Sequence, residues 1–122
     1  MLKPIPSVIR DYVYKRDKGK CRICRKPVSK QEAHVHHLWH RNSSVPADLE
    51  VPRVKGNNHP YNLILVCSEC HATLHSGKDL PLHLRRVFVK WNKEMEYLFP
   101  FPEELKTWLE KNTIEVIKGG LE

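Results

Sequence analysis

The stretch that most constrains this chain is Asn62-Leu63-Ile64-Leu65-Val66-Cys67-Ser68-Glu69-Cys70-His71-Ala72-Thr73-Leu74-His75. Leu63 to Val66 is a short apolar, partly β-branched run, which reads as a buried strand. Cys67 and Cys70 form a Cys-x-x-Cys knuckle, half of a tetrahedral zinc site. His71 and His75 are spaced i, i+4, so on a helix they share one face and can hold one metal. Asn62 stands at the strand entrance, where a side-chain amide can bond nearby backbone and fix a loop.

The other half of the zinc site is Cys21-Arg22-Ile23-Cys24, presented by the turn Asp17-Lys18-Gly19-Lys20. All four cysteines of the chain fall in these two knuckles. One Cys-x-x-Cys is weak evidence of metal. Two, with no thiol left over, point to a structural zinc on Cys21, Cys24, Cys67 and Cys70. A redox pair or inert buried thiols is the competing reading. It fits less well, because no βαβ pattern surrounds either pair.

Between the knuckles lies Ala33-His34-Val35-His36-His37-Leu38-Trp39-His40-Arg41, expected as a strand. Four histidines in seven residues cannot all be buried without partners, so a metal or a phosphate nearby is the economical reading. Residues 42–61 are rich in Asn, Ser, Pro, Gly and Asp and are expected to form a long surface loop, with Leu49-Glu50-Val51 a candidate ordered stretch within it. A helix is expected over 6–16. A short helix carries His71 and His75 and ends at Ser76-Gly77. Asp79 then reads as the N-cap of a longer helix with Pro81 in its first turn. On that helix Leu84, Val87, Phe88, Trp91, Met95 and Leu98 recur at helical spacing as a packing face. Arg85, Arg86, Lys90 and Lys93 lie off it, free to meet nucleic acid. Phe99-Pro100-Phe101-Pro102 breaks the helix, and a last one is expected over 103–111. The tail from Thr113 to Glu122 has no clear role.

The 122 residues suit one small domain with an appended helical piece, divided here as 1–79 and 80–122. No apolar run approaches the ~20 residues a membrane helix needs, so no membrane partner is expected. The start lacks a signal-peptide core, so an intracellular, cytoplasmic location is expected. There, four cysteines argue for metal rather than disulfides. The formal net charge is +7, with a pI near 9.4. Residues 10–30 hold nine Lys or Arg against only Asp11 and Asp17. Such a run is often just a solvated face. Beside a nuclease-like site it reads as a phosphate-binding surface, with Lys18, Lys20 and Arg22 as contacts.

Taken together, His36-His37, Asn62, His71 and His75, flanked by the two knuckles, resemble the HNH endonucleases of the zinc-knuckle type. The small size is similar to phage and mobile-element members. The resemblance covers roughly residues 8–77 and implies an α+β fold: a small ββα-metal core with a four-cysteine zinc knuckle, an N-terminal helix and C-terminal helices. It implies DNA as substrate and leaves room for a phage or mobile-element protein partner; oligomeric state stays open. By the same resemblance His37 is the general base, with Asn62 counted as catalytic because it holds the base's loop. His36, His71 and His75 are ligands of a catalytic divalent metal, and Arg41 is taken for a phosphate contact. Neighbouring residues on a strand face opposite ways, so His36 and His37 can serve one phosphate only if the strand bends or metal and water lie on different sides of it. His34 and His40 receive no role.

The chemistry agrees with that assignment. Phosphodiester hydrolysis needs an activated water, charge stabilisation on the phosphoryl oxygens and help for the departing 3′ oxygen. Neutral imidazole, with a pKa of about 6.5, is a competent base. Three histidines favour Mn, Ni, Co or Zn, with Mg as a weaker, water-completed alternative. The expected activity is metal-dependent DNA cleavage, leaving a 5′-phosphate and a 3′-hydroxyl. The alternative is a non-catalytic zinc module that binds nucleic acid. It accounts for the cysteines and the basic run but not for His36, His37, Asn62, His71 and His75. A purely structural second zinc on the histidines is the third reading.

Overall fold

The computed structural model describes residues 4–114; the rest of the tail, 115–122, lies outside them. The elements in chain order are α1 (Ser7–Arg16), β1 (His34–His37), β2 (Leu63–Val66), α2 (Ser68–His75), α3 (Leu82–Leu98) and α4 (Glu103–Asn112). Three short 3₁₀ turns, Ala47–Leu49, Lys55–Asn57 and Pro60–Asn62, lie between the strands. The helix boundaries meet the expectations from sequence closely. No helix among the described residues is long and apolar enough to cross a membrane.

The centre is β2, whose four residues are each at most 1% exposed. Continuous apolar sequence suits a strand covered on both faces. β1 pairs with it antiparallel, His36 opposite Ile64 and His37 opposite Leu63. α1 buries Ile9, Tyr12, Val13 and Arg16, one stripe of a 3.6-residue period. Lys15 and Arg16 in its last turn suit the negative end of the helix dipole. Phe88 and Val89 of α3 and Leu105 of α4 close the same hydrophobic cluster.

Three expectations are corrected here. The face of α3 is rotated. Phe88, Val89 and Asn92 are buried, while Leu84, Trp91 and Leu98 are exposed. Asn92 decides it: its amide donates to the carbonyls of Tyr61 and Leu63 and accepts from Arg22. A buried polar side chain with three partners outranks the apolar stripe. Asp79 is not the N-cap of α3. Pro81 holds that position, and Asp79 instead accepts from Leu80 N and Arg85. The 42–61 segment is ordered at Leu49, as expected, but is no mere surface loop elsewhere, since Val54, Asn58 and His59 are buried too. Asn57 staples it by donating from Nδ2 to the carbonyls of His40 and Ser43.

The turn after α1 contributes more than a change of direction. The Asp17 carboxylate, fully buried, accepts from Arg16 Nε and Nη2, Arg22 Nη1 and the amide of Leu65. Arg16 also donates to the carbonyls of Pro60 and Leu63. This buried charge network ties α1, the first knuckle and β2 together. It holds because every member is paired and hydrogen-bonded.

Candidate functional site

Two centres flank α2. At its N-terminus the four cysteines converge, with all four Sγ atoms within 4.8 Å of one another. Cys24 and Cys67 Sγ are 3.7 Å apart. Sulfurs bound tetrahedrally at about 2.3 Å from one zinc stand about 3.8 Å apart, so the cluster has the right size. All four are free thiols. Backbone builds the cradle. Arg22 N donates to Leu65 O, hanging the first knuckle on β2. Cys67 caps α2, its Sγ accepting from Cys70 N at 3.4 Å. Burial raises the Cys21 pKa, but backbone donors at Cys24, Cys67 and Ile23 outweigh it and bring it down to about 7. Burial and the neighbouring thiols push Cys70 up. Crowded sulfurs that compete for protons suit a dication, whose ligands are thiolates.

The second centre is a cleft of about 480 Å³ whose walls include His36, His37, His40, Arg41, His75 and Asp79. Alternation along β1 sends His34 and His36 toward α2. The His34 ring stacks on His71, centroids 4.2 Å apart and planes within 6°. His36 meets His75 edge-on at 6.1 Å, and His71 and His75 lie 4.3 Å apart. His36 Nε2 is buried with no hydrogen-bond partner; burial pushes its pKa down to about 4, against the pull of Asp79. An orphaned imidazole nitrogen facing two further histidines is a donor set that fits a divalent cation. The imidazoles are less tightly gathered than the thiols. Among the described residues only the cysteines bring three or more ligand atoms within 4.8 Å of one another.

His37 sits at the end of β1 and also lines the cleft. Its Nε2 lies 2.7 Å from Asn58 Oδ1. Burial lowers its pKa, partly opposed by that contact and by the Gly56 carbonyl. Gly56 has φ +69, and a Cβ there would come within 3.0 Å of Asn58 Nδ2. Glycine therefore keeps the partner of His37 in place.

Asn62 is wholly buried. Its Oδ1 accepts from Trp39 N at 2.9 Å, and its Nδ2 donates to the carbonyls of Trp39 and Asn57, both at 3.0 Å. It thus ties the residues just after His37 to the turn just before Asn58.

Among the expected DNA contacts, Lys18 and Lys20 are exposed and Arg41 lines the cleft. Arg22 is a correction. Its guanidinium is held by buried Asp17 and by Asn92, over the ring of Phe88, so its charge is used inside the fold. Arg86 and Lys93 are likewise engaged, with Asp48 and the Leu49 carbonyl. Sequence reasoning missed His34, Asn58 and Asp79. For His34 the two-residue period of a strand was the available signal; Asn58 and Asp79 carry none that a linear pattern shows.

Two antiparallel strands followed by a helix, with a four-cysteine cluster of a size to hold zinc and a histidine-lined cleft, define a zinc-knuckle ββα domain. The model of the HNH endonuclease family matches residues 21–77, so the chain carries an HNH endonuclease domain. That domain brings a nuclease-type, nucleic-acid-related function and a metal-binding character. No curated protein and no solved structure matches the chain.

Proposed function

We propose that the chain is a metal-dependent DNA endonuclease in which His37 is the general base and His36, His71 and His75 hold the divalent cation. The observation that carries this reading is that His37 opens on the same cleft as those three histidines. When bound, the cation supplies charge neutralisation on the phosphoryl oxygens and on the departing 3′ oxygen. The protein's own groups do the rest. Burial keeps His37 neutral at pH 7 and able to accept a proton. The water oxygen bonds to phosphorus as its proton passes to His37, and the bond to the 3′ oxygen breaks, the departing alkoxide taking a proton from bulk water to become the 3′-hydroxyl. Acceptors on Asn58 and Gly56 favour the imidazolium formed. Arg41, on the cleft wall, contacts the phosphate. Asn62 is a positioning residue. Exposed Lys18 and Lys20 hold the flanking backbone of the duplex.

The test is plasmid nicking with Mn or Ni, with and without EDTA, by the parent and by His37→Ala, His75→Ala and His34→Ala. His37→Ala should keep fold, zinc and DNA binding and lose about 10²–10⁴ in rate. His75→Ala should lose cleavage that added metal partly restores. A parent that retards DNA but never nicks it would establish the non-catalytic zinc module instead. A His37→Ala variant that cuts like the parent would overturn the base assignment.

A further inference from the structure

We infer that Asp79 supplies a carboxylate ligand to the cation held by His36 and His75, making the site a mixed histidine–carboxylate one suited to Mn²⁺ or Mg²⁺. The inference rests on the metal reading of the cleft. Asp79 lies past α2, beyond the matched residues 21–77, and lines the same cleft. Its Oδ1 stands 3.6 Å from His36 Nε2, the one buried side-chain polar atom without a partner among the described residues. That distance is too long for a hydrogen bond. It is close to the roughly 3.0–3.5 Å that separates two donors sharing one ion at about 2.1 Å each.

The carboxylate is also held for the task. Oδ1 accepts from Leu80 N at 2.7 Å, and Oδ2 accepts from Arg85 Nη2 at 3.1 Å. Arg85 is itself anchored by Nε to the Leu80 carbonyl at 2.9 Å and lies over the ring of Trp39. α3 therefore fixes the carboxylate beside His36, and half of the Asp79 side chain remains open to the cleft and solvent. An all-imidazole set favours Ni²⁺ and Co²⁺; a carboxylate oxygen shifts preference toward harder cations.

The experiment is calorimetric titration of the zinc-loaded full chain with Mn²⁺ and, separately, with Ni²⁺, comparing the parent, Asp79→Asn and His75→Ala. Circular dichroism and zinc content serve as folding controls. Asp79→Asn should weaken Mn²⁺ by tenfold or more and Ni²⁺ by less than threefold, while His75→Ala weakens both. Asp79→Ser, which can still accept from Leu80 N, stands in if the asparagine variant does not fold; the same tenfold loss is expected. Unchanged Mn²⁺ affinity in Asp79→Asn, with His75→Ala impaired, would overturn the inference and leave the proposed function standing. Equal losses for both cations would assign Asp79 to shaping the cleft and also overturn it. A His75→Ala variant that binds both cations like the parent would remove the metal reading, and the inference with it.

Discussion

Exchanging one atom of Asn62 separates its role as a staple from its bulk. In Asn62→Asp the side chain keeps its shape, and Oδ1 can still accept from Trp39 N. The other oxygen replaces Nδ2, which donates to the carbonyls of Trp39 and Asn57. Two donated bonds become oxygen facing oxygen at a site with no exposure. Each buried carbonyl that loses its donor costs about 1–3 kcal/mol, so an ionised carboxylate facing both costs about 4 kcal/mol; holding it protonated at pH 7 instead costs a similar amount, about 1.4 kcal/mol per pH unit above about 3.9. That is a large part of the roughly 5–15 kcal/mol that holds a small domain together. A buried aspartic acid without cationic partners stays protonated in the fold, and its O–H can serve one carbonyl. Its folded pKa then lies above its unfolded value. Stability relative to the parent is therefore best in acid and falls as pH rises above about 4. Urea denaturation followed by circular dichroism at pH 4.5 and pH 7 measures both effects. Plasmid nicking, under conditions where the variant remains folded, should also fall at least tenfold, because Trp39 follows His37 by two residues and Asn57 precedes Asn58. A variant within 1 kcal/mol of the parent at pH 7 that still cuts normally would refute the staple argument.

Removing zinc with a chelator, or making Cys67→Ser, should abolish cooperative melting, since the knuckles hang on β2 and Cys67 also caps α2; a zinc-free protein with a sharp melting transition would contradict this. Buried His59, its pKa held down at about 3 first by burial and then by Lys93, stays neutral in the fold while the unfolded chain takes up a proton below about pH 6.5. This group therefore weakens the fold as pH falls from about 6.5 toward 3, by about 3 kcal/mol over the first two units; denaturation curves of the parent and of His59→Asn should converge in acid. Replacing Lys18 and Lys20 with glutamine should flatten the dependence of log affinity for DNA on log salt by about 2, whereas Arg22→Gln should instead lower stability through the loss of its bond to Asp17. An unchanged slope in the double lysine variant would place the DNA surface elsewhere.

Much of this architecture is legible locally. The stripe Ile9, Tyr12, Val13 and Arg16, the apolar run of β2, the i, i+4 pair His71 and His75 and the breaker Phe99–Pro102 each report their element within a few residues. Periodicity and backbone chemistry act over that range. The two knuckles were legible for another reason: zinc imposes ligand type and spacing whatever the fold. What the chain alone did not disclose is which polar residues turn inward. Asp17 looks like a turn residue and is the buried hub of a charge network. Arg22 looks like a phosphate contact and is captured by that hub. Asn92 rotates α3 by hydrogen-bonding carbonyls some thirty residues away. Asp79 looks like a helix cap and instead accepts from Leu80 N and Arg85, with Oδ1 standing 3.6 Å from His36 Nε2. Apolar burial follows the local period of a helix or strand, so a linear pattern reveals it. A buried polar group is stable only where distant donors and acceptors meet it, and those meetings exist only once the chain has closed on itself.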